Sequence, residues 1–269
     1  MTDNVMQKKL TQMLGWFHDY CVEHDLRYYL IAGTMLGAAR HQGFIPWDDD
    51  IDVGMPRTDY ERLIELLKDH KGEYQLESPK YYSGKIICTY AKLYHTGTTL
   101  IERSIYNLKK GIYIDVFPLD GFGQTKEDGW EHNRKVAFMD NLLAVRVCAV
   151  RKGRGFIKNA AAVAGKLLPV SINGLIRKID TLCAHRNFDE CEYVGNMMSV
   201  YRLKEMMPRS FYGKPTLYSF EGIQAYGVER PEEYLTQLYG DWRKLPPVEK
   251  RVSHHEHVYL NLNKSYLEE

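Results

Sequence analysis

Leu10, Met13, Leu14, Phe17 and Cys21 recur at the three-and-four spacing of an amphipathic helix, which the pattern ends near His24-Asp25. Arg27 to Ala32, rich in Tyr, Leu and Ile, predicts a strand, after which Gly33-Thr34 turns the chain into a short helix from Met35 to His41. A second strand is expected from Ile51 to Met55. Pro56 then opens a helix carrying Tyr60, Leu63, Ile64 and Leu67 on one face. Further strands are predicted from Tyr74 to Glu77, Ile86 to Tyr94, Thr98 to Ile101 and Ile112 to Phe117. Glu127 to Arg186 reads as mostly helical, and Pro231 to Tyr239 as a last helix. With no internal repeat or low-complexity linker, the pattern predicts an α/β (α+β) unit. Its expected parts are a sheet core in 1–126, a mainly helical, basic insertion in 127–207, and a segment 208–269 that packs back on the core.

The acidic residues change this picture from fold to chemistry. Asp48, Asp49, Asp50 and Asp52 crowd into the run Pro46-Trp47-Asp48-Asp49-Asp50-Ile51-Asp52-Val53. No folding argument requires so many like charges, which raise one another's pKa and repel unless a cation neutralises them. Residues two apart on a strand share a face, so Asp50 and Asp52 can grip the same ion. Asp115 is a lone carboxylate in the apolar run from Gly111 to Pro118, where an unpaired charge is expensive. If the two strands are neighbours, three carboxylates converge on a site for two divalent ions that holds a phosphate chain. Hard oxygen donors suit magnesium or manganese. The plainer alternative is a set of solvated turn acids and a strand-end acid that caps or pairs.

The stretches Ala32-Gly33-Thr34-Met35-Leu36-Gly37-Ala38-Ala39-Arg40-His41 and Gly43-Phe44-Ile45-Pro46-Trp47, continuing through the acids to Met55, resemble the signature of the LicD family, which includes fukutin and fukutin-related protein. Similar to that family too are Ile114 to Gly121, Phe220-Glu221-Gly222, Tyr239-Gly240-Asp241-Trp242 and Leu245-Pro246-Pro247. The resemblance implies a nucleotidyltransferase-like mixed sheet flanked by helices. The superfamily's Gly-Ser or Gly-Thr turn matches Gly33 and Thr34, its Asp-x-Asp strand matches Asp50 and Asp52, and its third Asp matches Asp115. Implied with it is metal-dependent transfer of phosphocholine from CDP-choline to a sugar hydroxyl of a teichoic acid or lipopolysaccharide precursor. Phosphoglycerol, phosphoribitol and phosphoethanolamine donors remain open. Asp115 would be the general base, with Asp48 or Asp49 competing. Nucleotidyl transfer from a nucleoside triphosphate would use the same site, and a catalytically silent glycan- or lipid-binding module is the non-enzyme alternative.

Supporting residues are drawn from the same segments. Gly33 and Thr34 can offer amides and a hydroxyl to phosphate at a helix start, and Gly37 can permit close backbone approach. Arg40 and His41 can reach a phosphate or form a plain surface pair. Lys92 can face the site or solvent. Glu221, Arg251, His254, His255 and His257 lie in or beside segments like the family's C-terminal motifs. Trp47, Tyr81, Tyr82, Tyr106 and Tyr113 are candidates for recognising a quaternary ammonium, although aromatic residues more often fill cores. Cys183, His185 and Cys191 are close in sequence, but their spacing fits no zinc finger and ordinary thiols are expected.

Composition adds bounds. A chain of 269 residues with 44% hydrophobic and 26% charged residues is ordinary for a globular protein, and a net charge of +1 gives no global attraction to nucleic acid. From Arg146 to Arg186, however, nine Lys or Arg stand against the single acid Asp180. This basic, amphipathic stretch is expected either to touch an anionic membrane surface, bringing the enzyme to a lipid-linked acceptor, or to pack with a solvated basic face. Lacking a signal-peptide core or a long uncharged run, and with five scattered cysteines, the sequence predicts a cytoplasmic protein with reduced thiols, peripheral at the inner face of the plasma membrane.

Overall fold

The computed structural model describes residues 4–81, 88–103, 106–147, 155, 160, 163–165, 167, 169–252 and 257–268. The predicted strand start at Ile86, the candidates Tyr82, His254 and His255, and the cations Arg151, Lys152, Arg154, Lys158 and Lys166 lie outside them. Helix α1 (Val5–Glu23) is capped by Asn4, whose side chain accepts from the amides of Met6 and Gln7. The predicted apolar stripe, Leu10 to Cys21, faces the main core.

Strand β1 (Tyr29–Leu30) is only two residues long, and helix α2 (Ala32–His41) already contains Gly33 and Thr34 in its first turn. The expected turn before a helix at Met35 is therefore corrected. Ala32 adopts a positive φ of 46°, redirecting the chain at once, and its amide donates to the Tyr234 hydroxyl at 3.1 Å. A contact some two hundred residues distant thus sets this boundary. Strand β2 (Asp52–Pro56) takes Pro56 as its last residue, and α3 (Arg57–Leu67) follows directly.

Strands β3 (Tyr74–Glu77), β4 (Ala91–His95), β5 (Thr99–Glu102), β6 (Lys109–Lys110) and β7 (Tyr113–Gly123) precede helices α4 (Lys126–Val147) and α5 (Ile172–Cys183). After them come β8 (Tyr193–Gly195), β9 (Met207–Pro208), α6 (Arg209–Tyr212), β10 (Thr216–Phe220), β11 (Ile223–Gly227), α7 (Pro231–Tyr239) and β12 (His257–Asn261). The main sheet runs β10-β11-β1-β2-β7-β4-β3, with β8 on the later half of β7 and β9 beyond it. Pairs β2–β7 and β1–β11 are parallel and the other pairs of this path antiparallel, giving the mixed sheet flanked by helices that was expected. Strand β7 outruns its predicted end at Phe117. On its edge opposite β2, β4 reaches only to Val116 and β8 begins at Asp120, so Pro118 sits in the gap where no ladder amide is required.

No strand was predicted after Phe117, yet β10 and β11 form a hairpin that joins the sheet edge beside β1. Its two-residue loop places both Glu221 and Gly222 at positive φ, a geometry whose twist suits paired strands. A second core, centred on Phe122, Val136, Ile176 and Ile179, lies between β7 and the α4–α5 pair.

Buried Arg57 ties the two layers together. Its Nε and Nη2 donate to both oxygens of Asp120 at 2.7 Å, and its Nη1 to Asp180 Oδ1 of α5 at 2.7 Å. Removing one partner strands a buried charge. Asp120→Ala should destabilise the fold by about 3–5 kcal/mol in urea titration, and a loss below about 1 kcal/mol would contradict this role.

Glu205 is 1% exposed, and its Oε2 has no hydrogen-bond partner among the described residues. Burial pushes its carboxyl up from 4.5 to about 7, against weaker help from Ser199 and the Asn196 backbone. The folded state therefore binds this proton more tightly than the unfolded chain, and stability falls as pH rises from 4.5 through about 7. Glu205→Gln should flatten that fall, worth up to about 3 kcal/mol, in denaturant midpoints measured across the window. An unchanged pH slope would exclude Glu205 as its source.

Candidate functional site

Strand order decides where the acids meet. In the parallel β2–β7 ladder Asp52 is the register partner of Asp115, so the two carboxylates stand side by side on one face. Across the antiparallel β4–β7 ladder Lys92 is the partner of Asp115, and its Nζ donates to Asp115 Oδ1 at 2.5 Å. Both ladders are ordinary consequences of apolar strands seeking a buried centre; three charged residues in the same layer are not.

The loop before β2 is drawn onto helix α2. The Asp52 amide donates to Thr34 Oγ1 at 2.8 Å, and the Asp115 amide to Ile51 O at 2.9 Å. Gly33 leaves room for Asp48: a Cβ there would stand 3.1 Å from Asp48 Oδ2. Gly37 admits the returning loop, since its Cβ would meet the Gly43 carbonyl oxygen at 2.4 Å. Glu221 braces the same bend, its Oε1 accepting from the Phe44 amide at 3.3 Å and its own amide donating to Gln42 O at 2.9 Å. Gln7 of α1 donates to the Asp48 carbonyl at 2.6 Å.

The electrostatics follow from this crowding. Burial pushes the Asp52 carboxyl well above the usual carboxylate range, with Asp50, Asp115 and Asp48 adding to the shift and Lys92 opposing it. Asp115 is raised too, chiefly by burial, with Lys92 as the main counterweight. These acids hold negative charge together only beside positive charge, and Lys92 supplies part of it. Its ammonium also lies 3.4 Å from the Tyr113 ring centroid and 5.3 Å from that of Tyr90.

Other candidates separate. Asp49 Oδ2 lies 3.9 Å from His257 Nε2. Arg40 donates to the Trp242 carbonyl at 2.6 Å and to His41 Nε2 at 2.9 Å, which fastens α2 to the segment after α7. Trp47 is half-buried, with the Arg251 guanidinium 5.7 Å from its ring. Tyr113 donates to Glu102 Oε2 at 2.7 Å. Tyr81 is 48% exposed and bonded to Glu65, and Tyr106 packs against the second core. Cys183 and Cys191 are buried in different cores. The sequence reading missed Tyr90 and Tyr201 as neighbours of the acids. Tyr201 shares a hydroxyl contact of 3.1 Å with Tyr239, and the charges of Asp52 and Asp48 help to raise its pKa, which burial dominates. Tyr90, two residues before Lys92, could have been found by strand spacing, whereas Tyr201 and Tyr239 come from much later in the chain and no spacing signals them.

Among the described residues no group of three or more His, Cys, Asp or Glu side chains is assembled as a metal cage. The donors nonetheless suit magnesium in kind. That ion typically takes one or two carboxylates and completes its shell with water and substrate phosphate, and Asp52 beside Asp115 is such a pair.

Residues 25–144 match the family described as LicD/FKTN/FKRP, nucleotidyltransferase domain. Over 254 residues the chain is 29% identical to the lipopolysaccharide cholinephosphotransferase LicD of Haemophilus influenzae, spanning 90% of this chain and 92% of that one. It is also 26% identical over 120 residues to the ribitol 5-phosphate transferase FKRP of mouse and of human, which is 44% of this chain and 22% of those proteins. Gly33, Thr34, the clustered acids, Lys92 and Asp115 all fall within the stretch that resembles the LicD/FKTN/FKRP nucleotidyltransferase domain.

Proposed function

We propose that this protein transfers a phospho-alcohol from a CDP-activated donor to a sugar hydroxyl of a cell-surface glycan precursor, with phosphocholine as the transferred group. The observation that carries the reading is the side-by-side register of Asp52 and Asp115 beneath Lys92. Similarity along nearly the whole chain to a lipopolysaccharide cholinephosphotransferase favours CDP-choline. The shorter similarity to a ribitol 5-phosphate transferase makes CDP-ribitol the second donor to test, ahead of the glycerol and ethanolamine analogues.

In this reading Asp52 and Asp115, with Asp50 beside them, would hold magnesium or manganese, as one ion or a pair. When bound, the metal would neutralise the diphosphate and support departure of CMP. Lys92 engages Asp115 Oδ1, which leaves Oδ2 to accept the proton of the acceptor hydroxyl. Asp48, seated on Gly33, is the competing base. The hydroxyl oxygen bonds to the donor's distal phosphorus, the bond from that phosphorus to the bridging oxygen breaks, and the electron pair leaves with CMP. Thr34, in the first turn of α2, holds β2 in place through the Asp52 amide, and the start of that helix suits a phosphate. We place the acceptor on a lipid carrier at the cytoplasmic face, where a nucleotide-activated donor is available.

Asp52→Ala should lower turnover on the order of 10²- to 10³-fold while leaving the fold intact. Unchanged turnover in an assay where the parent is active would instead indicate a silent glycan- or lipid-binding module. Product analysis should find CMP; pyrophosphate from a nucleoside triphosphate would establish nucleotidyl transfer. Calorimetric titration with a panel of CDP-alcohols and magnesium should rank CDP-choline first, and tighter binding of CDP-ribitol would reassign the donor.

A further inference from the structure

Helices α4 and α5 carry a surface that the proposed chemistry does not use. Between them runs an open groove of about 790 Å³ lined by Arg134, Lys135, Phe138, Met139, Lys178 and Leu182. On α4 the exposed stripe Arg134, Lys135 and Phe138 is opposite the residues Val136 and Leu143 that fill the second core, while Met139 and Leu182 form the groove's floor against that core. Phe138 is 65% exposed at its centre. Nearby, Gly165 packs so closely on α4 that a Cβ would stand 2.4 Å from the Val145 carbonyl oxygen. The piece it belongs to carries Val163 at 52% and Leu167 at 81% exposure. Phe138, this open beside Met139 and Leu182, marks an interaction surface.

Charge selects the occupant. The sequence from Arg146 to Arg186 has Asp180 as its one acid, and Asp180 is turned inward to Arg57 at 2.7 Å. Asp140, one turn from the groove, is taken by Arg202 at 2.7 Å. Glu131 alone stands in the groove against Arg134, Lys135 and Lys178. A second copy of this chain would set those cations against their own kind, a repulsion that disfavours self-association. Apolar side chains flanked by three Lys and Arg against the single acid Glu131 instead match the boundary between acyl chains and anionic headgroups.

We infer that the outward face of α4 and α5 docks on an anionic lipid bilayer, with Phe138 entering the interface and Arg134, Lys135 and Lys178 meeting the headgroups. Among the described residues no helix is long and apolar enough to cross a membrane, so the contact is peripheral. The inference stands apart from which alcohol is transferred, and its test needs no substrate. In flotation assays the full chain should bind vesicles of phosphatidylglycerol and phosphatidylcholine in equal parts and ignore pure phosphatidylcholine. Lys135→Gln with Lys178→Gln should weaken that binding by about 30-fold, and high salt should imitate the change. Phe138→Ser should weaken it by about tenfold and leave the thermal midpoint unaltered, because the side chain is exposed. Failure of the parent to float with anionic vesicles, or equal binding by the double variant, would overturn the proposal. So would a parent dimer that Phe138→Ser dissociates in analytical ultracentrifugation while vesicle binding stays the same.

Discussion

The parallel pairing of β2 with β7 is the constraint on which the rest depends. It sets Asp52 beside Asp115, and the next strand over, β4, delivers Lys92 to the same layer. Two buried carboxylates repel, and a sheet centre is a costly place for either. The arrangement persists because Lys92 shares the charge and because strands rich in Val, Ile and Leu bury the layer on both sides. A centre that crowds carboxylates around the Lys92 ammonium is suited to divalent cations, which add the positive charge such crowding favours.

Much of the remaining structure serves to hold the loop between α2 and β2. Thr34 fixes the Asp52 amide, Gly33 makes way for Asp48, Gly37 lets the chain return, and Glu221 clips the bend from a hairpin near the other end of the sequence. Tyr234 anchors Ala32, whose positive φ starts the helix abruptly. Backbone strain of this kind lasts only where surrounding contacts over-determine it, and here those contacts come from α7.

The helical layer answers a different demand. Arg57, Asp120 and Asp180 lock α5 to the sheet through a buried ion network, and Phe122 leads the second core under α4. That locking consumes the layer's internal acids. What faces outward is mainly cationic and apolar, so the same contacts that fasten this layer also shape its free surface.

Some of this was legible in the residues alone. The apolar stripe of α1, strand β3 at Tyr74–Glu77 and helix α7 at Pro231–Tyr239 follow from local periodicity, which depends only on neighbours in sequence. The acidic run was conspicuous because charge density has no local folding purpose, and the family resemblance attached a chemistry to it. Periodicity could not announce the start of α2 at Ala32, the hairpin β10–β11 or the approach of Tyr201 to the acids. Those depend on partners far along the chain, and in β10 the exposed Leu217 blurs the alternation that marks a strand. Which residues bear charge was written in the sequence; that Asp52, Asp115 and Lys92 share one layer was decided only by strand order and register, because a one-residue slip would turn each side chain to the opposite face.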